Sequence, residues 1–210
     1  MRIVCISDTH ALHDEMEHSI PEGDILIHAG DCTNIGQLPD LVRFKRFLNK
    51  QPHKYKIIIA GNHDWCFYNL DWARNIITDQ NTFYLENCSL EIEGLKIYGS
   101  PYTPNFYNWA FMGDDEIQLR KLWDFIPNNT DILVTHGPPF YILDRTEDLD
   151  RAGSKTLEER LQDLKNLKLH VFGHIHEAYG IKVINKTTFV NASICTRKYK
   201  PKNKPIVIDL

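Results

Sequence analysis

Toward its C-terminus the chain places two imidazoles one residue apart, in Gly173-His174-Ile175-His176. They follow the apolar run Leu169-His170-Val171-Phe172, which reads as a buried strand broken by the glycine. Residues i and i+2 of an extended segment project to one side, and paired neutral imidazoles present nitrogen ligands to a metal. A His-x-His pair alone is often just a polar face. Here four earlier strand ends also finish in donor residues: Asp8 with His10, then Asp31, then Asn62 with His63, then His136. Carboxylates, imidazoles and one amide suit first-row transition metals better than calcium or a thiolate zinc site. Asp8, His10, Asp31, Asn62, His136, His174 and His176 are too many ligands for one ion and fit two, with one carboxylate shared. Two divalent cations can clamp a phosphate oxygen and deprotonate a bridging water, which then attacks phosphorus in line. Two such ions, two aspartates and one hydroxide leave a net charge of about +1, suited to an anionic substrate. His63, beside the amide ligand rather than among the metal ligands, is placed to protonate the leaving oxygen.

These donors need strands to carry them. Residues 2–7, 24–29, 56–60, 131–135 and 169–172 are short apolar runs, most of them rich in β-branched residues, and each ends at a donor cluster. Residues 37–50 carry Leu38, Leu41, Val42, Phe44, Phe47 and Leu48 at helical spacing. Residues 89–98 read as a hairpin turning near Glu93-Gly94, and an aromatic loop follows over 99–111. Helices are expected over 114–125, with acidic residues in its first turn, and over 154–167, with Ser154 as cap. Residues 181–184 and 187–190 form a second hairpin, and 205–210 a final strand. Strands alternating with helices, with polar residues at the strand ends, predict an α/β sheet whose site lies outside the carboxyl ends.

Composition limits what this site can serve. With 210 residues, 42% hydrophobic and 25% charged, the chain is expected to be one soluble globular domain, residues 1–210. A net charge of −4 argues against a dedicated polynucleotide-binding surface. The five cysteines are scattered, with no C-x-x-C pair, which fits reduced thiols in a cytoplasmic compartment. No signal-peptide pattern and no membrane-length apolar window is read in it.

Taken together, Asp8-Thr9-His10, Gly30-Asp31, Gly61-Asn62-His63-Asp64, His136-Gly137 and Gly173-His174-Ile175-His176 resemble, in order, the five motif blocks of the calcineurin-like metallophosphoesterases. The chain is most similar to the small UPF0046-type subgroup of that family. The stretches that carry this are 99–111, Thr135-His136-Gly137-Pro138-Pro139, 173–180 and Val190-Asn191-Ala192-Ser193. The resemblance spans residue 2 to the C-terminus. It implies a four-layer αββα sandwich of two mixed β-sheets flanked by helices. It implies Asp8, His10, Asp31 and His176 on one metal ion, and Asp31, Asn62, His136 and His174 on the other. It also implies His63 near the substrate phosphate, oriented by Asp64, so that His63 and Asp64 are the catalytic pair and Asn62 and His63 touch substrate. Manganese is the first expectation for the two divalent ions, with iron, nickel, zinc and cobalt compatible. The implied activity is hydrolysis of small phosphodiesters, cyclic nucleotides above all, by a metal-bridging hydroxide. A phosphomonoesterase or nuclease with the same metal core is the nearest alternative, and a non-catalytic scaffold the more distant one. Some relatives look compromised in the last motif; here both its histidines are present.

Several further residues are weaker candidates. Trp109, in the loop with Phe106, Tyr107 and Phe111, could stack a nucleobase, though aromatics also pack loops onto sheets. Tyr141 is a lesser candidate of the same kind. His13 could touch substrate, but an exposed loop histidine is the default expectation. His18, His28, His53 and His170 read as core or surface residues. The basic run 197–204 reads as a solvated loop that could attract an anion. No membrane and no long nucleic acid is expected as a partner, and the oligomeric state is left open.

Overall fold

A computed structural model describes all 210 residues. In chain order the elements are β1 (Arg2–Ile6), β2 (Ile25–Ala29), α1 (Leu38–Lys50), β3 (Tyr55–Ile59), α2 (Trp65–Asn69), α3 (Arg74–Ile77), β4 (Thr82–Tyr84), β5 (Cys88–Ile92) and β6 (Leu95–Ser100). They continue with β7 (Thr103–Pro104), β8 (Met112–Gly113), α4 (Glu116–Trp123), β9 (Ile132–Thr135), α5 (Lys155–Leu161), β10 (Leu169–Phe172), β11 (Gly180–Ile184), β12 (Thr187–Asn191) and β13 (Ile206–Asp209).

The strands sort into two mixed sheets, ordered β13-β1-β2-β3-β4 and β11-β12-β10-β9-β6-β5, with β7 and β8 as a separate pair. In the first sheet β1, β2, β3 and β4 run parallel and β13 closes the edge antiparallel, Ile3 opposite Ile208. In the second, β6, β9, β10 and β12 run parallel between two antiparallel edge strands. The central strands are buried on both faces, which is why they are apolar almost without interruption. Alternation still assigns each residue a layer. Ile3, Cys5, Ile25, Ile27 and Ile57 face the other sheet and meet Ile97, Ile132, Val134, Val171 and Val190. Val4, Ile6, Leu26 and Ile58 face outward and are covered by Leu41, Phe44 and Leu48 of α1 and by Phe67 and Ile77. On the far side Tyr98 and Leu133 are covered by Leu119 and Trp123 of α4 and by Leu157, Leu164 and Leu167. The result is helix, sheet, sheet, helix, as the family resemblance implied.

Local chemistry explains the helix limits. In α1, Pro39 stands in the first turn, where its missing N–H costs nothing, and Leu41, Phe44, Phe47 and Leu48 form the buried stripe. Val42, counted with that stripe in the sequence, is exposed. Asp115 caps α4 by accepting from Gln118 N at 2.8 Å, and Ser154 caps α5 by accepting from Leu157 N at 3.2 Å. The expected helix over 154–167 ends early, at Leu161. Beyond it the chain tightens into i→i+3 turns, Gln162 N to Glu159 O and Leu164 N to Leu161 O, which carry Leu164 and Leu167 into the same core. No helix is long and apolar enough to cross a membrane. All five cysteines are unpaired, four buried and Cys88 exposed.

Candidate metal centre

Because β1, β2 and β3 are parallel, as are β9 and β10, their C-terminal ends deliver their donors to the same edges of the two sheets. A parallel bridge between Ser7 and Ser193 joins the sheets there. The strands stop abruptly: Asp8, His10, Asp31 and His174 have φ of 51°, 44°, 57° and 66°. Four of the seven expected ligands therefore occupy the left-handed region, which L-residues enter at a cost and which clusters at functional sites. Hydrogen bonds between the loops hold them there: Asp8 N to Gly30 O at 2.9 Å, His10 N to Asp31 O at 3.0 Å, and His174 N to Asp8 Oδ1 at 3.1 Å. The approach is so close that a Cβ on Gly173 would strike Ser7 Oγ and Asp8 Oδ2, and one on Gly61 would strike Asp31.

The donors converge in three overlapping groups: Asp8, His10 and His176; His10, Asp31 and His63; Asp8, Asp31 and His136. His10 Nε2 and His176 Nε2 lie 3.1 Å apart, and His176 Nε2 is 3.3 Å from Asp8 Oδ1. Asp31 Oδ2 stands 3.4 Å from His136 Nε2 and 3.9 Å from His10 Nε2. Asn62 Oδ1 is 2.8 Å from His136 Nε2, and the His174 ring centroid is 5.0 Å from that of His136. The rings are oriented from behind. His136 Nδ1 donates to Ala29 O at 3.0 Å and His176 Nδ1 to Thr196 O at 3.2 Å, so both Nε2 atoms face the centre. Ser193 Oγ donates to Asp8 Oδ2 at 2.9 Å, and Ser7 Oγ bonds the same oxygen.

Two imidazole nitrogens facing each other amid buried carboxylates form a donor set suited to a cation. Burial pushes His10 and His174 down to about 3, leaving their rings unprotonated at neutral pH. Burial also pushes Asp8 and Asp31 up, but the surrounding imidazoles outweigh it and hold both carboxyls below the usual carboxylate range. Burial lowers His136, yet Asp31 raises it more, to about 9. That proton sits where a divalent ion would compete for it, so metal binding releases protons.

His63 lies at the rim of this cluster. Its Nδ1 donates to Asn34 O at 2.6 Å, its ring stacks on Trp109 at 4.2 Å and 27°, and His10 meets its edge at 4.6 Å. The expectation that Asp64 orients His63 is overturned. Asp64 is fully buried, and its oxygens take the N–H groups of Gly61 at 2.9 Å and Thr33 at 2.9 Å, with Thr33 Oγ1 at 2.7 Å. Asp64 thus ties the Gly61 and Asp31 loops together, and a main-chain carbonyl sets the imidazole. His13 is corrected too. It is 2% exposed, wedged against Phe44 and Phe47 at 5.6 and 5.1 Å, and lines no part of the cavity. The 3-10 turn His13–Glu15 docks it on α1, so it is neither an exposed loop residue nor in reach of substrate. His28 and His170 are core residues, bonded to Thr9 at 3.0 Å and Thr135 at 2.8 Å.

Over the cluster opens a cavity of about 740 Å³, floored by Asp31, Asn62, His174 and His176. Of the aromatic side chains in the 99–111 loop, Phe106 and Trp109 line it. Phe111 is buried in the core, and Tyr107 is exposed outside. Tyr141 also lies outside the lining, under the Arg151 guanidinium at 4.5 Å. Two lining residues come from the run read as a solvated loop, Arg197 and Tyr199. Their signal in the sequence is the basic run itself, read as a solvated loop that could attract an anion. Arg197 pairs with Glu147, and Arg151 with buried Asp144 at 2.6 Å. Asp148, Asp150 and Glu177, also in the lining, form no ion pair.

The profile of the calcineurin-like phosphoesterases matches residues 1–178. The chain is 40% identical to metallophosphoesterase domain-containing protein 1 of Homo sapiens, an alignment covering 100% of this chain and 71% of that protein. It is 35% identical to a UPF0046 protein of Caenorhabditis elegans, covering 99% and 74%. Among solved structures, TT1561 of Thermus thermophilus superposes with a TM-score of 0.61 at 14% identity, over 90% of this chain and 88% of that one. At that identity the likeness speaks for the fold alone.

Proposed function

The chain belongs to the calcineurin-like phosphoesterase family, and from that footing we propose that it hydrolyses small phosphodiesters, cyclic nucleotides foremost, with two divalent metal ions. Asp8, His10, Asp31 and His176 would hold one ion, and Asp31, Asn62, His136 and His174 the other, with manganese first among the candidates. When bound, such ions neutralise phosphate charge and lower the pKa of water so that it can attack phosphorus at neutral pH. The observation that carries the reading is the convergence of these donors at the floor of an open cavity, with His63 beside them. His63 has its Nδ1 committed as donor to the Asn34 carbonyl, which leaves Nε2 toward the leaving oxygen; as the imidazolium, with an N–H on both nitrogens, the ring passes the Nε2 proton to that oxygen and ends neutral. A proton donor matters most for a poor alkoxide leaving group, which favours diesters. Trp109, backed by His63, offers a flat apolar face for a nucleobase. The unpaired carboxylates Asp148, Asp150 and Glu177 at the cavity disfavour a polyanion, so long nucleic acids fit poorly. Five unpaired thiols suit the cytoplasm.

The test is an initial-rate panel on Mn²⁺-reconstituted protein with bis-p-nitrophenyl phosphate, p-nitrophenyl phosphate, and 2′,3′- and 3′,5′-cyclic nucleotides, each with a chelator control. Chelator-sensitive turnover favouring a cyclic nucleotide is the expected result. Preference for the monoester would make the protein a phosphatase. Bound ions with no turnover on any ester would leave a scaffold.

A further inference from the structure

We propose that Tyr199 contacts the substrate of this site, its phenol hydroxyl donating a hydrogen bond to the phosphoryl group; the inference rests on the phosphoester reading above. Tyr199 lies beyond residue 178, where the family profile ends. Its ring centroid is 4.7 Å from that of His10, 5.4 Å from His176 and 6.3 Å from His63, so it borders two donors and the candidate acid. It is the one tyrosine lining the cavity. Every other wall group of the C-terminal loop is accounted for, Arg197 being engaged by Glu147, whereas the Tyr199 hydroxyl bonds to no group of the chain.

The backbone holds this position at a cost. Tyr199 has φ of 52°, and its N–H donates to Thr196 O at 2.7 Å while Thr196 N donates to Lys200 O at 2.9 Å. An aromatic residue in the left-handed region needs surrounding structure that over-determines it. The same Thr196 carbonyl accepts from His176 Nδ1 at 3.2 Å. One turn therefore sets a donor histidine and fixes the phenol beside it. A neutral O–H there suits a phosphoryl oxygen. It adds a donor without the self-repulsion that another cation would bring next to two metal ions.

Packing over His10 and His176 is the competing role, and Tyr199→Phe separates the two because it keeps the ring and removes the hydroxyl. The experiment titrates inorganic phosphate into Mn²⁺-loaded full-length protein by calorimetry, with Mn²⁺ stoichiometry and affinity measured beforehand. Tyr199→Phe is expected to bind Mn²⁺ as the unaltered chain does and phosphate roughly tenfold more weakly, the loss typical of a hydrogen bond to a charged group. Tyr199→Ala is expected to weaken both. Phosphate affinity of Tyr199→Phe within about twofold of the unaltered chain would overturn the proposal, as would loss of Mn²⁺ by that variant. Turnover of bis-p-nitrophenyl phosphate, measured in parallel, keeps the two readings apart. Turnover with unchanged phosphate binding sinks only the tyrosine's role. Absent turnover sinks the hydrolase, while phosphate binding still decides Tyr199.

Discussion

Asp31 is the side chain on which the two halves of the donor cluster meet. His136 and His10 approach one of its oxygens, and the other accepts from His63 N at 2.8 Å. Asp31→Asn keeps the shape and removes the charge. It should reduce bound metal to less than one ion per chain and lower turnover at least about 100-fold, checked by elemental analysis beside initial rates. Two ions retained with normal activity would refute the shared-ligand assignment. His63→Ala should keep both ions and lose roughly 10²–10⁴ in kcat, most with alkoxide leaving groups; if it loses metal instead, His63 is a ligand. The donor residues could be read from the chain because five strand ends in succession carry carboxylates or imidazoles and together resemble one family's motif blocks, although each alone is often just a polar face. Groups acting through the backbone could not. The Asn34 carbonyl that sets His63 and the Thr196 carbonyl that sets His176 carry no residue signature. His13 misled for the opposite reason: a titratable side chain three residues past an expected ligand invites a role, and only its packing on Phe44 and Phe47 removes it.

At the scale of elements, the loops after the strands matter as much as the strands. Gly173→Ala places a methyl against Ser7 Oγ and Asp8 Oδ2. It should cost about 1–3 kcal/mol of stability and impair metal binding, read from urea midpoints with and without Mn²⁺. Asp64→Ala strands the N–H groups of Gly61 and Thr33 together with the Thr33 hydroxyl. A loss of roughly 3 kcal/mol is expected even in chelated protein, because the carboxylate braces loops rather than moving a proton. Helix α1 was legible from its stripe, α4 from the acidic residues at its start, and α5 from its Ser154 cap. The short elements α2, α3 and β4 were not. Helices of five and four residues show no period, and a three-residue strand has no alternation to detect.

Across the whole molecule, burial also depresses histidines outside the donor cluster: His13 is pushed down to about 4, and His28 and His170 to about 3, each chiefly by burial. Their folded values lie below the ordinary 6.5. The unfolded chain therefore takes up their protons first, and stability present above pH 6.5 is lost as pH falls toward 4 and 3. Each should cost about 2 kcal/mol by pH 5, and His13→Leu should flatten the fall in urea midpoint between pH 7.5 and 5. The donor set has a second global property: Asp8, His10, Asp31 and Asn62 follow strands of one sheet, and His136, His174 and His176 follow strands of the other. Neither sheet can make the centre by itself. Ion binding at the proposed centre would then be a vernier on how the two sheets are docked, since a slip of an ångström or two would separate Asp31 from His136 while leaving most of the apolar seam in contact. Chelation should lower the melting temperature, a thousandfold excess of Mn²⁺ over its dissociation constant being worth about 4 kcal/mol. It should also let the halves loosen separately, visible as a broadened transition. A chain that holds the proposed ions would thereby have been proofread: the final alignment of the fold would be inspected at the one place where an error would also be an error of the proposed catalysis.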